Sequence, residues 1–172
     1  MCRSFLTCLF LASNCVVITS SAQPTGGTEN IMLFGIVEDQ GSGRALQNVR
    51  VRVYTDSIAG DSVFTDPVGK YQIFLPLNGS HRLEYWLEDH HRKVIQVDAN
   101  GEMDAAARAQ EWNLRVDIDL LIADPPLPDD LLDMPAGVAE WEPAMRDFQW
   151  DRPYSERYKQ RYKQALKEAG RK

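Results

Sequence analysis

The chain reads as a mainly β protein: a seven-stranded antiparallel Greek-key sandwich, then an acidic linker and a C-terminal amphipathic helix. Three observations predict this. From residue 31 to residue 122 apolar side chains recur at every second position, the period of strands with one buried and one wet face. Between these runs lie turn formers: Asp39-Gln40-Gly41-Ser42-Gly43, Asp66-Pro67-Val68-Gly69, Asn78-Gly79 and Asn100-Gly101. After Ile122 the alternation stops, and proline, aspartate, aromatic and basic residues take over in turn.

The strands are expected at 31–37, 48–54, 61–65, 70–75, 81–88, 92–98 and 113–122. Val49, Val51 and Val53 alternate with Arg50, Arg52 and Tyr54, and Tyr71, Ile73 and Leu75 with Gln72 and Phe74. Leu83, Tyr85 and Leu87 alternate with Glu84, Trp86 and Glu88, as do Leu114, Val116, Ile118 and Leu120 with Arg115, Asp117 and Asp119. The first member of each set is core and the second solvated. Residues 102–110 have room for one or two helical turns, too few for a crossover helix between parallel strands.

All three cysteines, Cys2, Cys8 and Cys15, precede this domain. Arg3 supplies a positive start, Phe5 to Ile18 is mostly apolar, and Ser20 and Ala22 are small residues suited to a cut between Ala22 and Gln23. Residues 1–22 therefore read as a secretory signal peptide and 23–30 as a leader. The exported chain would hold no thiol, which removes disulfides, thiolate metal sites and cysteine nucleophiles. Lipidation at Cys15 is the alternative, although Asn14 precedes that cysteine and Val16-Val17-Ile18 continues the apolar run beyond it. No transmembrane span is expected in the mature chain.

From Gln23 to Trp150 there are 10 basic and 22 acidic residues, a net charge of −12; from Asp151 to Lys172 there are 8 and 3, a net of +5. The acidic body argues against nucleic acid as ligand. The basic tail suits an acidic surface, that of the body included.

Several motifs together resemble a known family. The run Gly35-x-Val37-x-Asp39, then Gly43-x-x-Leu46-x-x-Val49-x-Val51-x-Val53, then Thr65-Asp66-x-x-Gly69-Lys70-Tyr71-x-Ile73-x-Leu75-Pro76, looks like the carboxypeptidase regulatory-like domain, a transthyretin-like sandwich found in exported envelope proteins of Bacteroidota. The resemblance covers about residues 30–100 and implies a passive module spanning 31–122 rather than a chemistry. It also implies a hairpin closed by Asp66 to Gly69. In the fifth hairpin the chain departs from the family, with Asp89-His90-His91-Arg92 where a Gly-Tyr turn is common.

The residues point away from catalysis. His81, His90 and His91 are the only histidines, none in a His-Glu-x-x-His spacing. His90 and His91 read as a solvated turn, and neither a metal nor a cofactor is expected. The chain lacks the Tyr-Arg-Gly-Ser ending of the transthyretin-like hydrolases. Asp124, Asp129, Asp130 and Asp133 surround prolines without the alternating loop that wraps calcium, so 123–150 reads as an extended, self-repelling linker. Asp56-Ser57-Ile58 and Asp61-Ser62-Val63 match an O-glycosylation motif of that bacterial phylum, making Ser57 and Ser62 candidate sites.

The tail carries the remaining candidates. Trp141, Phe148, Trp150 and Tyr154 cluster, and Tyr154, Tyr158, Tyr162, Leu166 and Ala169 form one helical face over 151–172, with Asp151 or Ser155 as cap and Gly170 as stop. That face has three fates: folding back over Phe34, Phe74 and Trp86, entering a partner's groove, or lying on a membrane. The expected function is an exported, non-enzymatic binding or scaffold protein, periplasmic or outer-membrane associated, docking another envelope protein. Its partner-binding candidates are Trp141, Phe148, Trp150, Tyr154, Tyr158 and Tyr162. The alternative is a carbohydrate-binding module that stacks a glycan on Trp86, Trp141 or Trp150. The oligomeric state stays open.

Overall fold

A computed structural model describes residues 29–170. The proposed signal peptide, the Ala22–Gln23 cut and Cys15 lie outside the described residues. Among the described residues ten strands form two sheets, with a C-terminal helix. The strands are β1 (Asn30–Asp39), β2 (Arg50–Thr55), β3 (Ile58–Phe64), β4 (Lys70–Pro76), β5 (Ser80–Trp86), β6 (Lys93–Asp98), β7 (Trp112–Arg115), β8 (Ile118–Leu120), β9 (Pro135–Glu142) and β10 (Asp147–Trp150). The helices are α1 (Ala105–Arg108), α2 (Asp129–Leu132) and α3 (Arg152–Ala169).

One sheet has the order β4-β1-β7, with β8 also on β1; the other runs β10-β9-β6-β5-β2-β3. Each expected strand has a counterpart, and in all but β3, which is exposed along nearly its whole length, alternation marks an inward face: Ile31, Leu33 and Val37 from β1 meet Val51, Val53, Leu83 and Tyr85 in one core between the sheets. Pairing is not antiparallel throughout. β7 and β8 run parallel to β1, and β9 parallel to β6. The 113–122 strand is interrupted after Arg115, where Val116 turns its backbone toward β1.

Gly35 explains that interruption. A Cβ on Gly35 would stand 1.9 Å from the Val116 carbonyl oxygen, so this mid-strand glycine serves close approach of two backbones. Gly69 is a turn glycine in the expected sense, with φ +73°. The turn it ends is not a hairpin, however. β3 pairs with β2 and β4 with β1, so residues 65–69 carry the chain from one sheet to the other. Asp66 shapes that corner, its carboxylate accepting from the Val68 and Lys70 amides at 2.9 Å each.

The expected linker is largely structured. Residues 135–150 form a hairpin that widens the larger sheet, with Trp141 opposite Phe148. Before it, Leu127, Leu131 and Leu132 join Tyr158 and Tyr162 in a second, smaller apolar cluster. α3 therefore folds back on α2 and β9, not over Phe74 and Trp86, which stay exposed. Its start is capped by Asp151, whose carboxylate accepts from the Tyr154 amide at 2.8 Å. The linker acids pair with cations: Asp130 with Arg161, and Asp133 with Arg82 and Arg92. None of the described helices is long and apolar enough to cross a membrane.

Candidate binding surface

β2 turns Val51 and Val53 into the core, behind the buried Val49 that precedes it, so Arg50, Arg52 and Tyr54 face outward on the larger sheet. In register with Arg50 are Phe64 on β3 and Trp86 on β5. The three make a row across adjacent strands, the geometry in which side chains on one face interact. The Arg50 guanidinium carbon lies 5.1 Å from the Trp86 ring centroid, and that of Arg52 lies 5.3 Å from the Tyr54 ring. Among the described residues neither arginine has an ion pair or a hydrogen-bond acceptor, and both Nε atoms are buried without a partner. Glu84 faces Arg52 across β5 without forming an ion pair.

Beyond β3, where the smaller sheet comes alongside, lies an open groove of about 560 Å³, lined among others by Phe34, Ile36, Val63, Phe64, Tyr71 and Arg115. It sits where β3 and β4, the outer strands of their respective sheets, pass each other. Phe64 is 62% exposed and Phe74, on the outer face of β4, is 57% exposed. β3 is exposed along nearly its whole length and has no neighbour beyond it in the sheet. An edge with unpaired backbone groups is a template for another strand; Asp61 at its middle is the kind of charge that guards such an edge.

The partner-binding candidates lie mostly elsewhere. Trp141 and Phe148 are buried, each 7% exposed, and meet Trp112 edge to face, at 5.1 Å and 5.8 Å between ring centroids. The Trp141 indole donates to the Glu102 carbonyl at 3.1 Å. Tyr158 and Tyr162 stack at 5.9 Å inside the second cluster, with the Lys93 ammonium 5.8 Å from the Tyr162 ring centroid. Trp150 and Tyr154 are half-buried; Trp150 packs on Gly137, and the Tyr154 hydroxyl donates to the Pro135 carbonyl at 2.9 Å. As contact residues for a partner, Trp141, Phe148, Tyr158 and Tyr162 are therefore corrected to core. The same burial removes Trp141 as a sugar platform and leaves Trp86, at 43% exposure, as the open indole of the three. Ser57, just before β3, and Ser62, within it, are exposed and accessible to modification.

The histidine turn is corrected too. His91 is buried, with Nε2 2.9 Å from the Pro125 carbonyl oxygen, and half-buried His90 lies 3.7 Å from the Asp39 carboxylate. Both hold the loop to the fold rather than standing in solvent. Asp117 and Asp119 are exposed, as expected. Among the described residues no three metal-ligating side chains come together. In the core the Tyr71 hydroxyl donates to the Val116 carbonyl at 2.8 Å and accepts from Tyr85 at 2.8 Å. Burial pushes both phenols well above their ordinary range, which keeps them protonated and structural.

No family model matches the chain, and neither does any curated protein. Solved structures are similar in part. The Bacillus anthracis TIE protein is 12% identical over 54% of this chain and 17% of its own, with a TM-score of 0.43. Catechol 1,2-dioxygenase from Pseudomonas arvilla C-1 is 16% identical over 60% of this chain and 55% of its own, with a TM-score of 0.41. The group B streptococcus pilus 2b backbone protein is 9% identical over 53% of this chain and 40% of its own, with a TM-score of 0.37. The chain thus spans less than two thirds of each. No residue role is carried over from them.

Proposed function

We propose that the chain is a non-enzymatic binding or scaffold module, exported to the cell envelope, which docks another envelope protein through its sandwich surface around β3. The observation that carries this reading is the exposure of Phe64, which lines the groove between β3 and β4, and of Phe74 on the outer face of β4. The chain buries Trp112, Trp141, Phe148, Tyr158 and Tyr162 within itself, so two open phenylalanines on neighbouring edges are surface that the fold has not used. Export rests on the N-terminal sequence, and the carboxypeptidase regulatory-like assignment on the motifs from Gly35 to Pro76.

The test is co-purification of the tagged full-length chain from its native envelope, against a Phe64→Ser/Phe74→Ser variant whose circular dichroism and melting temperature match the parent. A specific protein retained by the parent and lost from the variant is expected. Recovery of the same proteins by both would refute docking at β3. The carbohydrate alternative keeps Trp86, but Arg50 already lies over that ring, where a sugar would stack.

A further inference from the structure

We infer that the arginine row on β2 recognises an acidic segment of the partner held in extended conformation, with carboxylates on alternate residues. The inference rests on the protein-binding reading above and names the chemistry of the partner. Arg50 and Arg52 stand on the same face of one strand two residues apart, which sets their Cα atoms about 7 Å apart along β2. An extended peptide repeats its own same-side residues at this interval. A segment lying along β2 therefore places one carboxylate at each guanidinium, and each fork takes a carboxylate through two parallel N–H donors.

Arg50 and Arg52 are half-buried, each over a ring and with its Nε unpartnered among the described residues, whereas Arg157, which also lies over a ring without a carboxylate, is exposed. Arg82, Arg92, Arg115, Arg146 and Arg161 each hold a carboxylate of this chain, whereas Arg50 and Arg52 hold none among the described residues. Their guanidinium groups instead lie over Trp86 and Tyr54, so less side-chain freedom is left to lose on binding. Phe64 and Trp86 flank Arg50 on either side in register, giving an apolar shoulder that excludes water from the charge pair. A glycan fits less well, because Arg50 covers the indole. Glu84, facing Arg52, would repel the incoming carboxylate and so limit affinity.

The experiment measures fluorescence anisotropy of the full chain with a fluorescein-labelled Thr-Val-Glu-Val-Glu-Val-Thr peptide and with its Gln-for-Glu counterpart. The acidic peptide should bind at least about tenfold tighter, and an Arg50→Gln/Arg52→Gln variant, which keeps most of the side-chain stems, should lose about tenfold with unchanged melting temperature. Glu84→Gln should tighten binding, and salt above about 0.1 M should weaken it. Equal affinity for the two peptides, full affinity in the double variant, or competition by trigalacturonate stronger than by unlabelled acidic peptide would overturn the inference. If the peptide fails while Phe64→Ser/Phe74→Ser still loses its envelope partner, the arginine proposal falls alone. If that variant also keeps every partner, the docking reading falls with it.

Discussion

Replacing Trp141 by alanine tests whether the tail aromatics are core or contact surface. The indole is buried, stands edge to face at 5.1 Å from Trp112 and 5.6 Å from Phe148, and donates to the Glu102 carbonyl. Truncating a buried tryptophan costs about 3–5 kcal/mol through lost transfer energy and the cavity left behind. Aromatic geometry adds roughly 0.5–1.5 kcal/mol for each such pair, and the indole hydrogen bond about 1 kcal/mol. Nothing nearby is placed to fill the gap, because Gly101 is pressed against the ring: a Cβ there would stand 2.5 Å from Trp141 Cδ1. A loss of at least about 4 kcal/mol is expected, a fall in melting temperature of roughly 10 °C for a chain of this size. Urea denaturation followed by far-ultraviolet circular dichroism measures it, with Trp141→Phe as the graded control expected to lose less than half as much. A loss below about 1 kcal/mol in the alanine variant would refute the packing argument and return Trp141 to the partner-facing candidates.

Gly35→Ala should destabilise the chain by about 3 kcal/mol or more, since its Cβ would meet a backbone carbonyl that cannot rotate away; a melting temperature within a degree or two of the parent would contradict that contact. His81 is fully buried, with Nε2 2.9 Å from the Pro76 carbonyl oxygen, which only accepts, so Nδ1 takes the Thr55 hydroxyl proton at 3.0 Å in a neutral ring. Burial lowers its pKa despite the opposing pull of that carbonyl, Asp56 and Asp98. The folded state therefore disfavours the proton: this stability is complete above the unfolded pKa of about 6.5 and is lost as pH falls below it through the folded value. His81→Asn should flatten that acid limb, read as urea midpoints at pH values on both sides; parallel limbs in parent and variant would assign the slope to other groups. Asp151→Ala should cost about 1 kcal/mol and speed hydrogen exchange at the Tyr154 amide. Unchanged exchange there would show that the cap does not hold the helix start.

Alternation was a sufficient guide wherever the buried member of each pair was large. Val49-Val51-Val53 and Tyr71-Ile73-Leu75 announce their strands, and the α3 boundaries follow from Asp151, the tyrosine stripe and Gly170. β9 escaped because its inward residues are Gly137, Ala139 and Trp141: two of them are too small to read as a hydrophobic period. Their smallness has a partner elsewhere in the chain, since the Trp150 ring and Ile95 occupy the space a larger side chain at Gly137 would need. The same limit applies to the binding surface. Arg50 and Arg52 were legible as outward residues of β2, but their neighbours Phe64 and Trp86 come from strands that only pairing brings alongside.

By itself the sequence determined the class of fold, the inward face of nearly every strand, the helix with its cap, and the split between an acidic body and a basic tail. These depend on residue type and short-range period, which a linear chain carries in full. Tertiary structure decided which sheet each strand joins, that β9 runs parallel beside β6, and that Trp141 and Phe148 complete the main core while Tyr158 and Tyr162 build the second cluster. Those choices depend on contacts between residues far apart in sequence, where any exposed-looking aromatic can find a cover. The exposed Phe64 and Phe74 and the half-buried, unpaired arginines on β2 are defined by what the rest of the chain left without a partner.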